Sequence, residues 1–203
     1  MSLLGLCQNS MVSGIPVCFL RGDGSVPSAA RNKLVREARA ASESITHLLW
    51  SDADMTFIPP ALVRLLSHGK DIVGAFGRSR KPPYNLLGKL VDPPVVEGDL
   101  HLVERMGSAF VLVKREVYDI VPPPWYFESY EEEAKSPDNP DGLIGEDVNF
   151  ILKARKYGFK VWCDIEVTKR LGHIGDMTLM GEMEGLPGVE RTNRPNATSS
   201  HTS

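Results

Sequence analysis

Between Thr46 and Pro60 the chain reads THLLWSDADMTFIPP. The apolar run that begins near Thr46 predicts a buried strand, and it stops at two carboxylates spaced i, i+2 ahead of a Pro-Pro break. No other stretch constrains the fold as much. In α/β sheets ligands gather beyond the carboxyl ends of strands, so Asp52 and Asp54 fall at a ligand-binding edge. Two neighbouring carboxylates repel each other and favour a compensating cation, and hard oxygen ligands suit magnesium or manganese. The competing reading has both aspartates forming an Asx-turn and capping the helix that starts near Pro60. Pro59 and Pro60 already break the strand, however, so a turn has no need of two acids.

At 203 residues the chain is the size of one domain, and 42% hydrophobic with 24% charged residues is enough apolar matter for a core. The expected domain spans residues 1–183, with a polar tail over 184–203 that lacks fixed structure. A formal charge of -3 gives no electrostatic case for nucleic acid. Cys7, Cys18 and Cys163 are odd in number, widely spaced and without a Cys-x-x-Cys pair, which argues against a disulfide framework or a zinc ribbon. A reducing, cytoplasmic setting is expected. No run of about 18 apolar residues and no leader pattern is present, so a soluble protein without a membrane segment is expected.

In chain order, Leu3 to Met11 predicts a short helix ended by Gly14, and Ile15 to Leu20 a strand. A helix from Ser28 to about Ala40 follows, with Arg31 and Asn32 in its first turn. A cation there is disfavoured by the helix dipole unless an anion is near. Arg31 is thus a candidate phosphate contact, with a solvated surface side chain as the equal alternative. Ala61 to Ser67 predicts a helix and Asp71 to Phe76 a strand. The next loop carries Arg78, Arg80 and Lys81, suited to clamping a diphosphate or simply to solvation.

Leu86 to Leu90, Asp99 to Glu104 and Phe110 to Val113 predict further strands, and Gly107-Ser108-Ala109 permits close backbone approach by a ligand or a neighbouring strand. The acidic stretch Glu128 to Asp141 reads as a loop, either a binding lid or a surface excursion. Glu146 and Asp147 open a helix that continues to Tyr157 and stops at Gly158. Both acids suit the helix dipole, but Asp147, Ile151 and Ala154 lie on one inward stripe, and an inward carboxylate needs a partner or a task. Lys160 to Cys163 predicts a strand, and His173, within Leu171-Gly172-His173-Ile174-Gly175, has room for a metal or phosphate, or is an ordinary loop histidine.

The strings ARNKLV, LLWSDADM, KDIVGAF, GSAFVLVKREVYD, GEDVNF and LGHIG, in this order from about Ala30 to Gly175, resemble the GT-A glycosyltransferases, most nearly short bacterial, phage and viral members. The resemblance implies a Rossmann-like, three-layer α/β/α sandwich with a central, mostly parallel mixed sheet. It implies Mn2+ or Mg2+ held by Asp54, with Asp52 on ribose or a metal-bound water, and His173 on the metal or diphosphate. It further implies Asp147 as base of a Glu146-Asp147 motif, Gly107 and Ser108 beside the donor sugar, and Arg31 near the nucleotide. The partners implied are a nucleotide-diphospho-sugar donor and a glycan or other hydroxyl acceptor. Members of the family have a complete strand before the helix that here carries Arg31, and its end helps bind the nucleotide base. Only Ile15 to Leu20 precedes Arg31, so the resemblance implies either a fragment or a variant with a reduced base pocket, with the first strand missing.

Two other readings fit parts of the pattern. Asp52-Ala53-Asp54-Met55-Thr56 matches the Asp-x-Asp-x-Thr opening of haloacid-dehalogenase-like phosphatases, with Asp52 as nucleophile, although Glu146-Asp147 gives only one adjacent acidic pair downstream. A non-catalytic sugar-nucleotide-binding domain would keep the fold and lack turnover.

Overall fold

A computed structural model describes residues 2–22, 24–80, 83–137 and 139–174; the predicted polar tail lies outside the described residues. Two helices come first, α1 (Ser2–Val12) and α2 (Pro27–Ala41), then β1 (His47–Ser51), β2 (Met55–Thr56) and α3 (Ala61–Ser67). Four strands follow: β3 (Ile72–Gly74), β4 (Gly88–Leu90), β5 (Val96–Glu97) and β6 (Leu100–Met106). β7 (Phe110–Lys114) and α4 (Arg115–Ile120) lead to a small ribbon of β8 (Ser129–Tyr130) and β9 (Leu143–Ile144). The described part closes with α5 (Glu146–Lys156), β10 (Val161–Asp164), α6 (Ile165–Lys169) and β11 (Gly172–His173).

The central sheet has seven strands in the order β1-β7-β3-β10-β6-β4, with β5 also pairing β6. Alternation within β1 shows why it sits between two layers: Trp50 and Leu48 join one core cluster and Leu49 the other. The first cluster takes Val35 of α2, Val117 and Tyr118 of α4, and Phe150, Ile151 and Ala154 of α5. The second takes Leu6 of α1 and Ala61, Leu62 and Leu65 of α3. The fold is therefore α/β, with helices on both faces of one mixed sheet. Each large side chain buried in this way contributes about 1.5–3 kcal/mol relative to exposure.

Strand direction corrects the expectation of a mostly parallel sheet: the sheet is mixed and mostly antiparallel. β3 and β10 are parallel neighbours, whereas β1–β7, β3–β7, β10–β6, β4–β6 and β5–β6 are antiparallel. β1, β3 and β10 still run the same way, because the reversed strand β7 separates β1 from β3. Their carboxyl ends share one rim. Gly74 is needed where β3 meets β7, since a Cβ there would lie 2.6 Å from the Phe110 carbonyl oxygen.

Two further expectations are corrected. Ile15 to Leu20 is not a strand: the segment has no regular structure, and Val17, Phe19 and Leu20 are exposed. It links α1, packed on α3, to α2, packed on α5, and thus passes from one layer to the other. Among the described residues no strand precedes α2. The stretch from Glu128 to Asp141 is also more ordered than a plain loop, because Ser129 pairs with Ile144 and Tyr130 with Leu143.

Candidate functional site

β1 delivers Asp52 and Asp54 to the carboxyl rim, where the Asp52 N–H donates to the Ala109 carbonyl (3.1 Å) and the Met55 N–H closes a turn onto the Asp52 carbonyl (3.2 Å). Neither carboxylate caps α3, which begins at Ala61 behind Pro60 without a side-chain cap. The turn-and-cap reading therefore fails, and both carboxylates have other partners.

Asp54 meets His173. β11 pairs antiparallel with β2, setting His173 opposite Met55, and the Ile174 N–H donates to the Asp54 carbonyl at 2.7 Å. These main-chain links bring His173 Nε2 to 3.3 Å from Asp54 Oδ2 across 119 positions of sequence. The imidazole Nδ1 lies 2.8 Å from the Arg78 carbonyl oxygen. A carbonyl can only accept, so Nδ1 carries a proton, and in the neutral tautomer that this selects the lone pair is on Nε2. An outer carbonyl of this kind is how metal-ligating histidines are oriented. Arg80 completes the group: its Nε donates to His173 Nε2 at 2.9 Å, and its Nη2 pairs with Asp54 Oδ2.

Asp52 turns the other way. Its Oδ1 takes Nη2 of Arg31 at 2.9 Å, and Nε of the same guanidinium donates to Glu146 Oε1 at 3.2 Å. The Arg31 guanidinium lies over Trp50 (5.2 Å) and Tyr126 (5.7 Å), and the side chain is only 13% exposed. Solvated surface is therefore the wrong description of Arg31. Burial works against its charge, but Asp52, Tyr126, Asp147 and Glu146 outweigh it and raise its pKa further, so the cation is permanent. Beneath it, Trp50 Nε1 donates to the Tyr118 hydroxyl (2.7 Å), which is 2.9 Å from that of Tyr126. Burial raises the pKa of both phenols, which stay neutral.

Asp147 sits at the start of α5, where Oδ1 accepts from the Val148 N–H (2.7 Å) and Oδ2 from the Ser108 N–H (3.0 Å). The Gly107-Ser108 turn wraps this carboxylate so closely that a Cβ on Gly107 would lie 2.9 Å from Oδ2. The Ser108 hydroxyl is buried and has no hydrogen-bond partner among the described residues. Arg78 contributes its main chain to His173, while its guanidinium donates to the Tyr84 carbonyl at 3.3 Å; burial lowers its pKa.

The expected residues thus form two adjoining groups on one rim. Asp54 and His173 make one; Asp52, Arg31, Glu146, Asp147, Gly107 and Ser108 make the other. Among the described residues no set of three or more His, Cys, Asp or Glu side chains comes together as a metal cage. Asp52 in particular is joined to Arg31 and not to the Asp54–His173 pair. One carboxylate and one oriented imidazole nevertheless fit a Mg2+ or Mn2+ ion that takes its remaining ligands from water and substrate phosphates, the usual style of magnesium sites.

Two positioning residues escaped the sequence reading. Asn32 donates to the Ser28 and Tyr126 carbonyls and accepts from the Trp125 and Tyr126 N–H groups, which fastens the aromatic segment under Arg31. Asn149 donates to the Phe127 and Ile144 carbonyls, fastening the β8–β9 excursion to α5. Arg80 was visible only as one of three loop cations. The signal for the asparagines was present: Asn32 precedes Val35 and Asn149 precedes Phe150 on buried helix faces, where an amide needs partners.

No family model matches the chain, and no curated protein matches it. Among solved structures, the crystal structure of A197 from STIV aligns with a TM-score of 0.54 at 13% identity, covering 95% of this chain and 94% of that one. Similarity at this identity speaks to architecture, and the α/β arrangement is shared over nearly the whole of both chains.

Proposed function

We propose that the chain is a metal-dependent glycosyltransferase of the GT-A type, which moves a sugar from a nucleotide-diphospho-sugar to a hydroxyl acceptor. The observation that carries the reading is the meeting of Asp54 with a His173 whose Nε2 lone pair is fixed by the Arg78 carbonyl. Asp54 and His173 would hold Mn2+ or Mg2+, which when bound neutralises charge developing on the departing diphosphate. Arg31 braces Asp52 against Glu146, so the acidic strand end and the start of α5 keep a fixed separation.

Asp147 is the residue placed to take the proton of an acceptor hydroxyl, and attack opposite the leaving group would invert the anomeric centre. Its Oδ2 is steadied by the Ser108 N–H, and the partnerless Ser108 hydroxyl beside it supports a polar ligand at this spot, since an unsatisfied buried hydroxyl costs about 1–3 kcal/mol. Gly107→Ala tests that crowding. The added Cβ must displace the Asp147 carboxylate, and turnover is expected to fall by about tenfold or more with little change in melting temperature.

The direct test is calorimetry of the full chain against a set of nucleotide sugars, with Mn2+, with Mg2+ and with EDTA, followed by turnover assays on any donor that binds. Ion-dependent binding and transfer are expected, and Asp54→Ala should weaken Mn2+ binding by about tenfold or more. Donor binding without turnover would make the chain a binding domain. A phosphoaspartate at Asp52 would replace the reading with phosphatase chemistry.

A further inference from the structure

Arg80 occupies the position that a divalent ion would take. An imidazole nitrogen has one lone pair, and that of His173 Nε2 already accepts from Arg80 Nε at 2.9 Å, while Arg80 Nη2 pairs with Asp54 Oδ2. The two protein atoms suited to the ion are therefore the two that the guanidinium bridges. An ion can take the His173 lone pair only when Arg80 leaves it, because one lone pair cannot serve two cations, and at Asp54 Oδ2 the ion would meet the repulsion of the guanidinium.

The loop is built to let the side chain leave and to keep it near. Its stem is tied by main-chain bonds, Leu87 N–H to the Gly77 carbonyl (2.8 Å) and Ser79 N–H to the Asn85 carbonyl (2.9 Å), with an Arg78–Leu86 bridge between them. The Arg78 carbonyl is pinned by His173. The Arg80 side chain itself is 61% exposed, so it can rotate into solvent while its Cα stays beside the notch. Among the described residues two protein ligands are offered there, so a bound ion would draw other ligands from an anionic substrate.

We infer that Arg80 is a built-in counter-cation that closes the Asp54–His173 notch and passes to the diphosphate when ion and diphosphate enter together. This rests on the proposed role of Asp54 and His173 as ion ligands. It makes ion loading depend on the diphosphate: Mn2+ alone must displace a guanidinium, whereas Mn2+ with a diphosphate gives the displaced guanidinium a new anion to pair with. Arg80 would thus be a positioning residue with opposite effects on the two loading steps.

The test uses the full chain, Mn2+ and inorganic pyrophosphate, with calorimetry and the electron paramagnetic resonance signal of free Mn2+ as readouts. Arg80→Ala should bind Mn2+ alone about fivefold more tightly than the unaltered protein and bind Mn2+ with pyrophosphate about threefold more weakly. Arg80→Lys should recover most of the pyrophosphate affinity, since a lysine also supplies a cation. If Arg80→Ala leaves Mn2+ binding unchanged while Asp54→Ala abolishes Mn2+ uptake with pyrophosphate, the role of Arg80 is overturned and the ion site stands. If Mn2+ binding tightens but pyrophosphate binding does not weaken, the transfer to diphosphate is overturned. If neither the unaltered protein nor Arg80→Ala takes up Mn2+ with or without pyrophosphate, the ion site falls and the role of Arg80 with it.

Discussion

Asp147→Asn is expected to lower kcat by about 10²- to 10⁴-fold while leaving donor affinity and Mn2+ binding little changed. The amide keeps the volume of the carboxylate and one carbonyl oxygen, which can still accept from the Ser108 N–H in place of Oδ2. What it loses is the capacity to take a proton. The NH2 group would face the Val148 N–H, at the first turn of α5, where water can substitute for the lost acceptor, so a stability cost of only about 1 kcal/mol is expected. The pair of readouts separates two roles for Asp147. If the carboxylate serves only to cap α5 and hold the Gly107-Ser108 turn, Asp147→Asn should shift the melting temperature and leave kcat nearly intact. A measured kcat within about threefold of that of the unaltered protein would remove Asp147 as the proposed base, because proton transfer by a positioned group is worth far more than that.

The parts of this site that could be read from sequence are those set by local pattern. The apolar run into Asp52-Ala53-Asp54, the amphipathic spacing of α3 and the inward stripe Asp147-Ile151-Ala154 are all short-range signals, and each element formed within a residue or two of its expected bounds. Ile15 to Leu20 shows where such a signal stops. Its apolar, β-prone residues satisfy a strand pattern, yet a strand exists only where another edge pairs with it, and that condition is not local. The same limit hid the partners of Arg31. Its first-turn position pointed to a nearby anion, but the anions are Asp52 and Glu146, the latter 115 positions away and placed there only by the packing of α2 on α5. A sequence can announce a buried cation in need of an anion without naming the anion. His173 was legible for the opposite reason, since the order of the motifs placed it late and near glycine, and the β2–β11 pairing supplied the geometry.

Arg64→Met is expected to cost about 2–3 kcal/mol at neutral pH, the largest stability effect predicted here for one side chain. Asp164, at the end of β10, is fully buried, and its carboxylate accepts from Arg64 Nε (2.6 Å) and Nη2 (3.2 Å) and from the Val167 N–H (3.0 Å), with His68 Nε2 at 2.7 Å. Arg64 also pairs with Asp99 at the surface, which places its guanidinium partly in water and keeps the estimate below that for a fully buried pair. Burial by itself would push the Asp164 pKa up, but the bonds from Arg64, His68 and the Val167 N–H outweigh it, and the net shift is downward. A depressed carboxylate contributes stability that is fully present above the unfolded value of about 3.9 and is lost as pH falls through the folded value below it.

Removing Arg64 takes away the largest opposing contribution and lets burial raise the Asp164 pKa. The variant then carries a strained carboxylate at neutral pH and is relieved as that group protonates. The difference in unfolding free energy between the two proteins should therefore shrink as pH drops from 7 towards 4, measurable by urea unfolding at each pH. A constant difference across that range would mean that lost packing of the Arg64 stem, not the buried charge, sets the cost. Asp164 also caps α6, and α6 leads directly into β11 and His173. The same substitution should thus loosen the imidazole and weaken Mn2+ uptake with pyrophosphate at neutral pH, which ties the stability of this ion-pair network to the geometry of the proposed ion site.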